Sequence, residues 1–277
     1  MEILSAILAR NVRLLPDKAF IVTDAGTISY RAFGALTARC ANVLAARGLA
    51  KGDRVGLYLP STPMMAVAFW ACQRLGAIPA PLSAMLRPAE LRKIVAQAGM
   101  SGLIADATTW PDFAGLRAEF EELRTCLVSG GGAGAENLDD LMRASGENFS
   151  DVACDHSDIA SLFFTSGTTG APKGTAQTHF NIVSTLRDMM VSHRTRFGKE
   201  VYLCAVPLFT NFGMTVTLNL CLYTGGSLIL HERWDAEKVM ADIRRHRASY
   251  FGGTPTMYVY MVNAYDAARH DLSSLRI

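Results

Sequence analysis

Apolar, strand-like runs alternate with helix-like segments along much of this chain. The runs "RVGLYLP", "AIPAPL" and "GLIAD" begin at residues 54, 77 and 102, and apolar residues recur at helical spacing between them, over 63–75 and 88–98. Short continuous apolar runs of this kind are typical of parallel strands that are covered on both faces. The alternation therefore predicts an α/β fold.

The alternation occurs a second time after residue 200. The runs "VYLCAVP", "SLILH" and "SYFGGTP" alternate with an apolar helix near 214–222 and with a further helix. Two such series predict two stacked α/β layers. We expect residues 50–192 to form a first α/β subdomain, and residues 1–49 and 193–277 to form a second, incomplete one.

Composition excludes several classes of protein. Half of the 277 residues are hydrophobic, 19% are charged and the net charge is +2, so the chain can bury a large core and shows no electrostatic footprint for nucleic acid. The longest apolar run, Met64–Cys72, is too short to span a membrane. Six scattered cysteines show no metal-ligand spacing. These features predict a cytoplasmic protein with no membrane span, no nucleic-acid partner and no metal site made of its own side chains.

One polar segment, "TSGTTGAPKG" at residues 165–174, follows an apolar strand. Its glycines let the backbone approach a ligand, and its N–H groups, hydroxyls and lysine can surround phosphate oxygens. It is not a Walker loop, because Pro172 and Gly174 stand where a glycine and a Ser/Thr are needed. The alternative is a polar surface turn, which the strand before it and the Pro-Lys-Gly after it disfavour.

This segment resembles the phosphate-binding signature of the adenylate-forming enzymes, which include acyl-CoA synthetases, peptide-synthetase adenylation domains and luciferases. The chain from "YRAFG" at residue 30 to "SGLI" at residue 104 is similar to the N-terminal region of that family. The segments "VPLFTNFGMTVTLNLCLYTGGSLIL" and "FGGTPTMYVYM" resemble the acyl-pocket segments of fatty-acyl-CoA ligases. The resemblance covers nearly the whole chain and implies the αβαβα-type N-terminal domain of these enzymes.

The resemblance also implies a reaction. A carboxylate attacks the α-phosphorus of ATP, pyrophosphate leaves, and a thiol, usually that of coenzyme A, takes the acyl group from the adenylate. Mg²⁺ would bridge the phosphate oxygens. In this reading Lys173 and Thr168 are catalytic. The residues implied to hold the nucleotide phosphates are Thr165, Ser166, Gly167, Thr168, Thr169, Gly170, Lys173 and Gly174.

A second group of residues is implied to line the acid site: Phe209, Thr210, Phe212, Gly213, Met214, Gly252, Gly253 and Thr254. Ordinary core packing is the alternative for the "PLFTNFGM" segment. The family often has a histidine after "PLF", where this chain has Thr210, so the electrostatics beside the carboxylate differ here. Thr254 and Pro255 are also expected to start a helix. Among the histidines, His179 either orients the helix after the loop or packs in the core, and His231 is assigned no role.

The later motifs of the family do not follow, since the chain stops at "DLSSLRI". We therefore expect the N-terminal portion of an acyl-CoA synthetase that uses ATP, Mg²⁺, coenzyme A and a fatty or similarly apolar carboxylic acid. By itself the fragment should be inactive, and an uncovered apolar sheet edge should favour self-association. Two alternatives remain open: a ligase that loads an acyl carrier protein, and a non-catalytic remnant that binds a nucleotide or a partner chain.

Overall fold

The computed structural model describes residues 2–165 and 173–277, and of Thr165 it describes the backbone alone. Its strands are β1 (Ala19–Thr23), β2 (Gly26–Ser29), β3 (Arg54–Tyr58), β4 (Ile78–Leu82), β5 (Gly102–Asp106), β6 (Thr125–Ser129), β7 (Glu136–Asn137), β8 (Ile159–Thr165), β9 (Lys173–Thr178), β10 (Val201–Cys204), β11 (Ser227–Leu230) and β12 (Tyr250–Phe251).

The helices are α1 (Leu4–Leu14), α2 (Tyr30–Ala46), α3 (Pro63–Leu75), α4 (Pro88–Ala98), α5 (Trp110–Ala114), α6 (Leu138–Ala144), α7 (His179–Ser192), α8 (Leu220–Tyr223), α9 (Ala236–His246) and α10 (Pro255–Ala264). A 3-10 turn covers Arg117–Glu119. A π-helix covers Phe212–Asn219 and continues into α8. Among the described residues, no helix is long and apolar enough to cross a membrane.

The chain divides into two compact units. The first contains Met1–Ala6, Gly34–Pro60 and Met64–Val183, and the second contains Ile7–Phe33, Ser61–Pro63 and Ser184–Ile277. The expected subdomains differ from these units mainly at residues 34–49, which belong to the first unit. There the guanidinium of Arg39 binds the carboxylate of Glu147 at 2.6 Å, and the amide of Asn42 donates to the carbonyl of Gly146 at 3.0 Å.

The first unit is built on a parallel sheet with the strand order β4-β3-β5-β6-β7. Apolar side chains of its strands, such as Leu103 and Val128, pack with Ile94 of α4 and Phe113 of α5 in one core. Strands β8 and β9 form an antiparallel ribbon, and β8 lies beside β4.

The second unit has a sheet with the order β12-β10-β11-β1-β2, in which all pairs except β1-β2 are parallel. Its apolar face, which includes Leu203 and Ile229, packs against Val239 and Ile243 of α9. Parallel strands alternate with helices in both units, so the predicted α/β class is confirmed.

A buried carboxylate joins several segments of the second unit. The side chain of Glu200 accepts hydrogen bonds from Arg276 Nη2 at 2.7 Å, from Ser249 Oγ at 2.6 Å and from the N–H of Arg196 at 3.0 Å. Burial raises the pKa of Glu200, but these hydrogen bonds outweigh it and lower the pKa to about 2. The carboxylate therefore contributes to stability in its charged form.

Helix α10 leaves much of its apolar surface uncovered. Val259, Tyr260 and Val262 are 59%, 57% and 75% exposed, whereas Met261 is buried in the core of the second unit. These residues form an exposed apolar surface on α10.

Candidate functional site

The two ends of the predicted phosphate-binding segment lie side by side in the first unit. Strand β8 ends at Thr165 and β9 begins at Lys173, and these two residues pair directly in the antiparallel ribbon. Lys173 and Gly174 are exposed to solvent. A Cβ atom on Gly174 would lie 3.1 Å from the ring of Phe164, so glycine allows that ring to pack closely against the backbone. An exposed lysine therefore begins β9 beside the end of β8.

Five of the residues assigned to phosphate binding lie outside the described part of the chain: Ser166, Gly167, Thr168, Thr169 and Gly170. The side chain of Thr165 lies outside it as well. Their contacts with a nucleotide, and the catalytic role of Thr168, stay predictions. His179 begins α7 after the ribbon and is buried, and its Nδ1 accepts a hydrogen bond from the N–H of Leu4 at 3.5 Å. Burial lowers the pKa of His179.

Thr210 organises the start of a helix. Its hydroxyl donates to the carbonyl of Pro207 at 2.8 Å and accepts from the N–H of Gly213 at 3.0 Å. Helical structure begins at Asn211, so Thr210 satisfies the third N–H of the helix, as an N-cap residue does. The side chain thus has a structural role.

Gly213 allows the following helix to pack directly on the loop after β10. A Cβ atom at this position would lie 2.3 Å from the carbonyl oxygen of Pro207 and 2.8 Å from that of Val206. Any other residue would therefore push the helix away from the loop. The helix continues as the π-helix Phe212–Asn219. π-Helices are rare in proteins, and those that occur are frequently found at functional sites.

The structure brings two of the predicted acid-site residues into contact. A Cβ atom on Gly252 would lie 3.2 Å from the ring of Phe212, so the ring packs against the Gly252 backbone. The N–H of Gly253 donates to the hydroxyl of Tyr258 at 3.2 Å, and that hydroxyl donates to the carbonyl of Phe251. These contacts place the "GGT" turn next to the beginning of the π-helix.

The other predicted acid-site residues differ in exposure. Phe209 is half-buried, Thr254 is exposed, and Met214 is completely buried in the second unit. Thr254 is the N-cap residue of α10 and Pro255 the first helical residue, as predicted, although the Thr254 side chain makes no capping hydrogen bond. The acid-lining roles of all these residues stay predictions.

Sequence reasoning missed a histidine–aspartate pair in the second unit. His231 follows β11, and its backbone N–H donates to the carbonyl of Cys204 on β10 at 2.9 Å. The Nε2 atom of His231 lies 2.9 Å from Asp242 Oδ2 on α9. The side chain is 2% exposed, and its Nδ1 has no hydrogen-bond partner in the described part of the protein.

Burial lowers the pKa of His231, and the carboxylate of Asp242 opposes that effect. When the ring is neutral, its proton lies on Nε2, because a carboxylate can only accept. Lys238 Nζ binds Asp24 Oδ1 at 2.6 Å and lies 3.6 Å from Asp242 Oδ2. The spacing of these residues along the chain gives no signal, since the fold alone brings them together.

A cavity of about 620 Å³ opens beside this pair at the carboxyl ends of β1 and β11. Ligands of α/β proteins commonly bind at this edge of a parallel sheet. The residues that line it include Asp24, Ser61, His231, Arg233, Trp234 and Lys238. In the described part of the chain, no three His, Cys, Asp or Glu side chains come together to hold a metal ion.

Comparisons with known proteins agree with this architecture. The profile of the AMP-binding enzyme family matches residues 8–277. The chain is 29% identical to 4-coumarate–CoA ligase 5 of Oryza sativa subsp. japonica, over 94% of this chain and 49% of that protein. It is also 29% identical to the long-chain-fatty-acid–CoA ligase FadD13 of Mycobacterium tuberculosis, over 90% of this chain and 48% of that ligase.

Among solved structures, the anthranilate–CoA ligase AuaEII in complex with anthranoyl-AMP superimposes with a TM-score of 0.93 at 26% identity, covering 99% of this chain and 54% of that one. The chain thus spans about half the length of the curated relatives it matches. Since the family profile covers all but the first seven residues, this chain belongs to the AMP-binding enzyme family.

Proposed function

We propose that this chain forms the N-terminal half of an AMP-forming acid–thiol ligase. The whole enzyme would activate an apolar carboxylic acid with ATP and pass the acyl group to coenzyme A. The observation that carries the proposal is the "TSGTTGAPKG" segment, whose first residue ends β8 and whose last two residues begin the paired strand β9, in a chain that belongs to the AMP-binding enzyme family.

The nucleotide is assigned to the end of the β8–β9 ribbon at which Thr165 pairs with Lys173. Lys173 is an exposed cation there, and a flexible ammonium suits the phosphates of a leaving pyrophosphate. Mg²⁺ is assigned to the phosphate oxygens of the nucleotide, because the described residues offer no acidic cluster that could hold it. When bound, the metal would neutralise charge on the phosphates.

The acid is assigned to the carboxyl edge of the second unit's sheet. Phe212 and Gly252 are in contact there, and Thr210 and Gly213 fix the position of the helix that carries Phe212. These surfaces are largely apolar, which supports a fatty or aromatic acid. Met214 is fully buried, so we assign it to supporting the residues that line the acid site.

A cytoplasmic location and a role in fatty-acid metabolism belong to the proposal too. The six cysteines are unpaired in the structure, and five of them are buried. Free thiols in this number suit a reducing compartment.

The test uses a complete ligase, by which we mean this chain followed by a C-terminal half of the kind its relatives have. The enzyme is incubated with ATP, Mg²⁺, coenzyme A and a panel of aliphatic and aromatic acids, and the products are identified by mass spectrometry. We expect an acyl-CoA thioester, AMP and pyrophosphate. An acyl group found only on an added carrier protein would show that the carrier protein, not coenzyme A, is the acceptor. The absence of any acyl-adenylate or AMP would refute the proposal.

A further inference from the structure

A buried histidine closes the turn that follows α10. His270 ends this turn, at residues 265–270, and its side chain is 4% exposed. The backbone N–H of Asp266 donates to Nδ1 of the His270 ring at 3.0 Å, and the backbone N–H of His270 donates to the carbonyl of Asp266 at 2.8 Å. The two residues therefore hold each other through one hydrogen bond in each direction.

The other nitrogen of the same ring binds α9. His270 Nε2 lies 3.0 Å from Oε2 of Glu237. Because a carboxylate can only accept, Nε2 carries a proton, whereas Nδ1 accepts from a backbone N–H and carries none. This arrangement is that of the neutral ring, and it uses both ring nitrogens. Neither the nucleotide nor the acid has been assigned to this part of the second unit.

Protonation of the ring would disrupt this arrangement on one side only. An imidazolium donates from both nitrogens, so its Nδ1–H would face the N–H of Asp266, and two donors cannot form a hydrogen bond with each other. The bond to Glu237 would instead become charge-assisted, and such bonds are stronger than neutral ones. Imidazole is the side chain whose charge ordinarily changes between about pH 5 and pH 8.

The turn joins α10 to a segment that is anchored on the sheet. Past the turn, Arg276 Nη2 binds Glu200 at 2.7 Å, and the backbone N–H of Arg276 donates to the carbonyl of Ser249 at 2.9 Å. Helix α10 lies wholly within the described chain and buries only Met261, so few core contacts hold it. A rearrangement of the turn should therefore loosen the C-terminal end of α10 and leave the anchored segment in place.

We propose that His270 is a pH-sensitive clasp on the C-terminal end of α10. The neutral ring closes the 265–270 turn through the N–H of Asp266, and the protonated ring releases that N–H while it keeps Glu237. The inference is independent of the proposed function, because the clasp involves neither a nucleotide nor an acid.

Charged groups of both signs surround the ring. Glu237 faces it from α9, and Arg269 of the turn binds the carboxylates of Glu237 at 3.4 Å and of Asp266 at 3.0 Å. The charged side chains beyond these are Arg244, Arg247 and Asp271. A carboxylate favours the protonated ring and a guanidinium opposes it. Removing the charge of Glu237 should therefore move the opening of the clasp to lower pH.

Hydrogen exchange of the Asp266 amide tests the clasp in the 277-residue chain. Exchange is followed by NMR and corrected for the intrinsic effect of pH. Between about pH 8 and about pH 5, the protection of this amide should fall about 2- to 12-fold, the effect of losing one hydrogen bond. Over the same range, the ¹⁵N shifts of the His270 ring should change from a form protonated on Nε2 alone to one protonated on both nitrogens. Protection of the Ile243 amide in α9 should stay constant.

Three variants separate the clasp from a general effect of acid. In His270→Asn the amide oxygen can replace Nδ1 as acceptor but cannot titrate, so the protection of the Asp266 amide should not depend on pH. Glu237→Gln should lower the pH at which protection is lost, and His246→Gln, which removes a neighbouring imidazole from α9, should respond as the wild type does.

Two results would overturn the inference. One is a protection of the Asp266 amide in the wild type that does not change with pH, whether or not the ring titrates. The other is an equal change in His270→Asn. If His270→Asn fails to fold, the wild-type protein decides alone, because its ring shifts and its amide protection must change together.

Discussion

Gly213 offers the sharpest prediction from packing. In Gly213→Ala, the new Cβ would lie 2.3 Å from the carbonyl oxygen of Pro207, whereas ordinary contacts begin near 3.4 Å. The atom it meets belongs to the backbone, so no side chain can swing away and the helix must shift by roughly 1 Å. Overpacking of this kind costs about 1–3 kcal/mol. At 2–4 °C per kcal/mol for a chain of similar size, the midpoint of thermal unfolding should fall by about 2–12 °C.

Thermal unfolding followed by circular dichroism measures this effect, with Gly115→Ala as the control. Gly115 has φ −70° and nothing within 4 Å of the position that a methyl group would take, so alanine fits there without strain. The control should match or slightly exceed the stability of the wild type, by about 0.4–1 kcal/mol. In the complete ligase, Gly213→Ala should also raise KM for the acid, because the shift separates Phe212 from Gly252. Equal midpoints for Gly213→Ala and the wild type would refute the packing argument.

Three further predictions follow from single features of the second unit and of the chain as a whole. Thr210→Ala should lower the free energy of unfolding by about 0.5–2 kcal/mol because the N-cap is lost, whereas Thr210→Ser should keep the cap. The alanine variant should change acid preference modestly and ATP affinity hardly at all. A large loss of ATP binding with unchanged acid selectivity would contradict this. The 277-residue chain alone should bind ATP no better than about 1 mM in isothermal titration and release no pyrophosphate above background, because it spans only about half the length of the ligases it matches. It should also self-associate in sedimentation through surfaces such as that around Val262. Acid-dependent turnover by the pure chain would overturn this. The pKa of Glu200 falls from 4.5 to about 2 on folding, so its contribution to stability is present above pH 4.5 and is lost as the pH falls towards 2. Glu200→Gln should lack this part of the acid sensitivity. If the urea midpoints of the two proteins changed equally from their values at pH 7 at every pH between 4.5 and 2, the argument would be refuted.

Much of the first unit could be predicted because its local signals are strong. Helices α3 and α4 and strand β5 have the predicted bounds, 63–75, 88–98 and 102–106. Each helix has a proline in its first turn, which marks its start. Gly99, in the left-handed conformation, also marks the end of α4. The segment from Trp110 to Ala144 carries weaker signals, a proline in the first turn of α5 and the N-cap Asn137 of α6, and its elements are so short that they were not predicted.

The site was predicted only in part, for physical reasons. The apolar pattern near 214–222 predicts a helix, but periodicity does not reveal that its hydrogen bonds run as a π-helix. Thr210 has the residue type and place of an N-cap, so that role could have been read from the sequence. The His231–Asp242 pair could not, because the two residues lie on different elements and only the packing of α9 on the sheet joins them.

The central claim is that this chain supplies the phosphate-binding half of an adenylating site, and Lys173 tests it most directly. Acid-dependent exchange of labelled pyrophosphate into ATP is measured for the complete ligase, for Lys173→Ala and for Lys93→Ala, which removes another exposed lysine, from α4. We predict exchange in the wild type and in Lys93→Ala, and a fall of about 10²- to 10³-fold in Lys173→Ala with an unchanged circular dichroism spectrum. Wild-type exchange in Lys173→Ala would contradict the account.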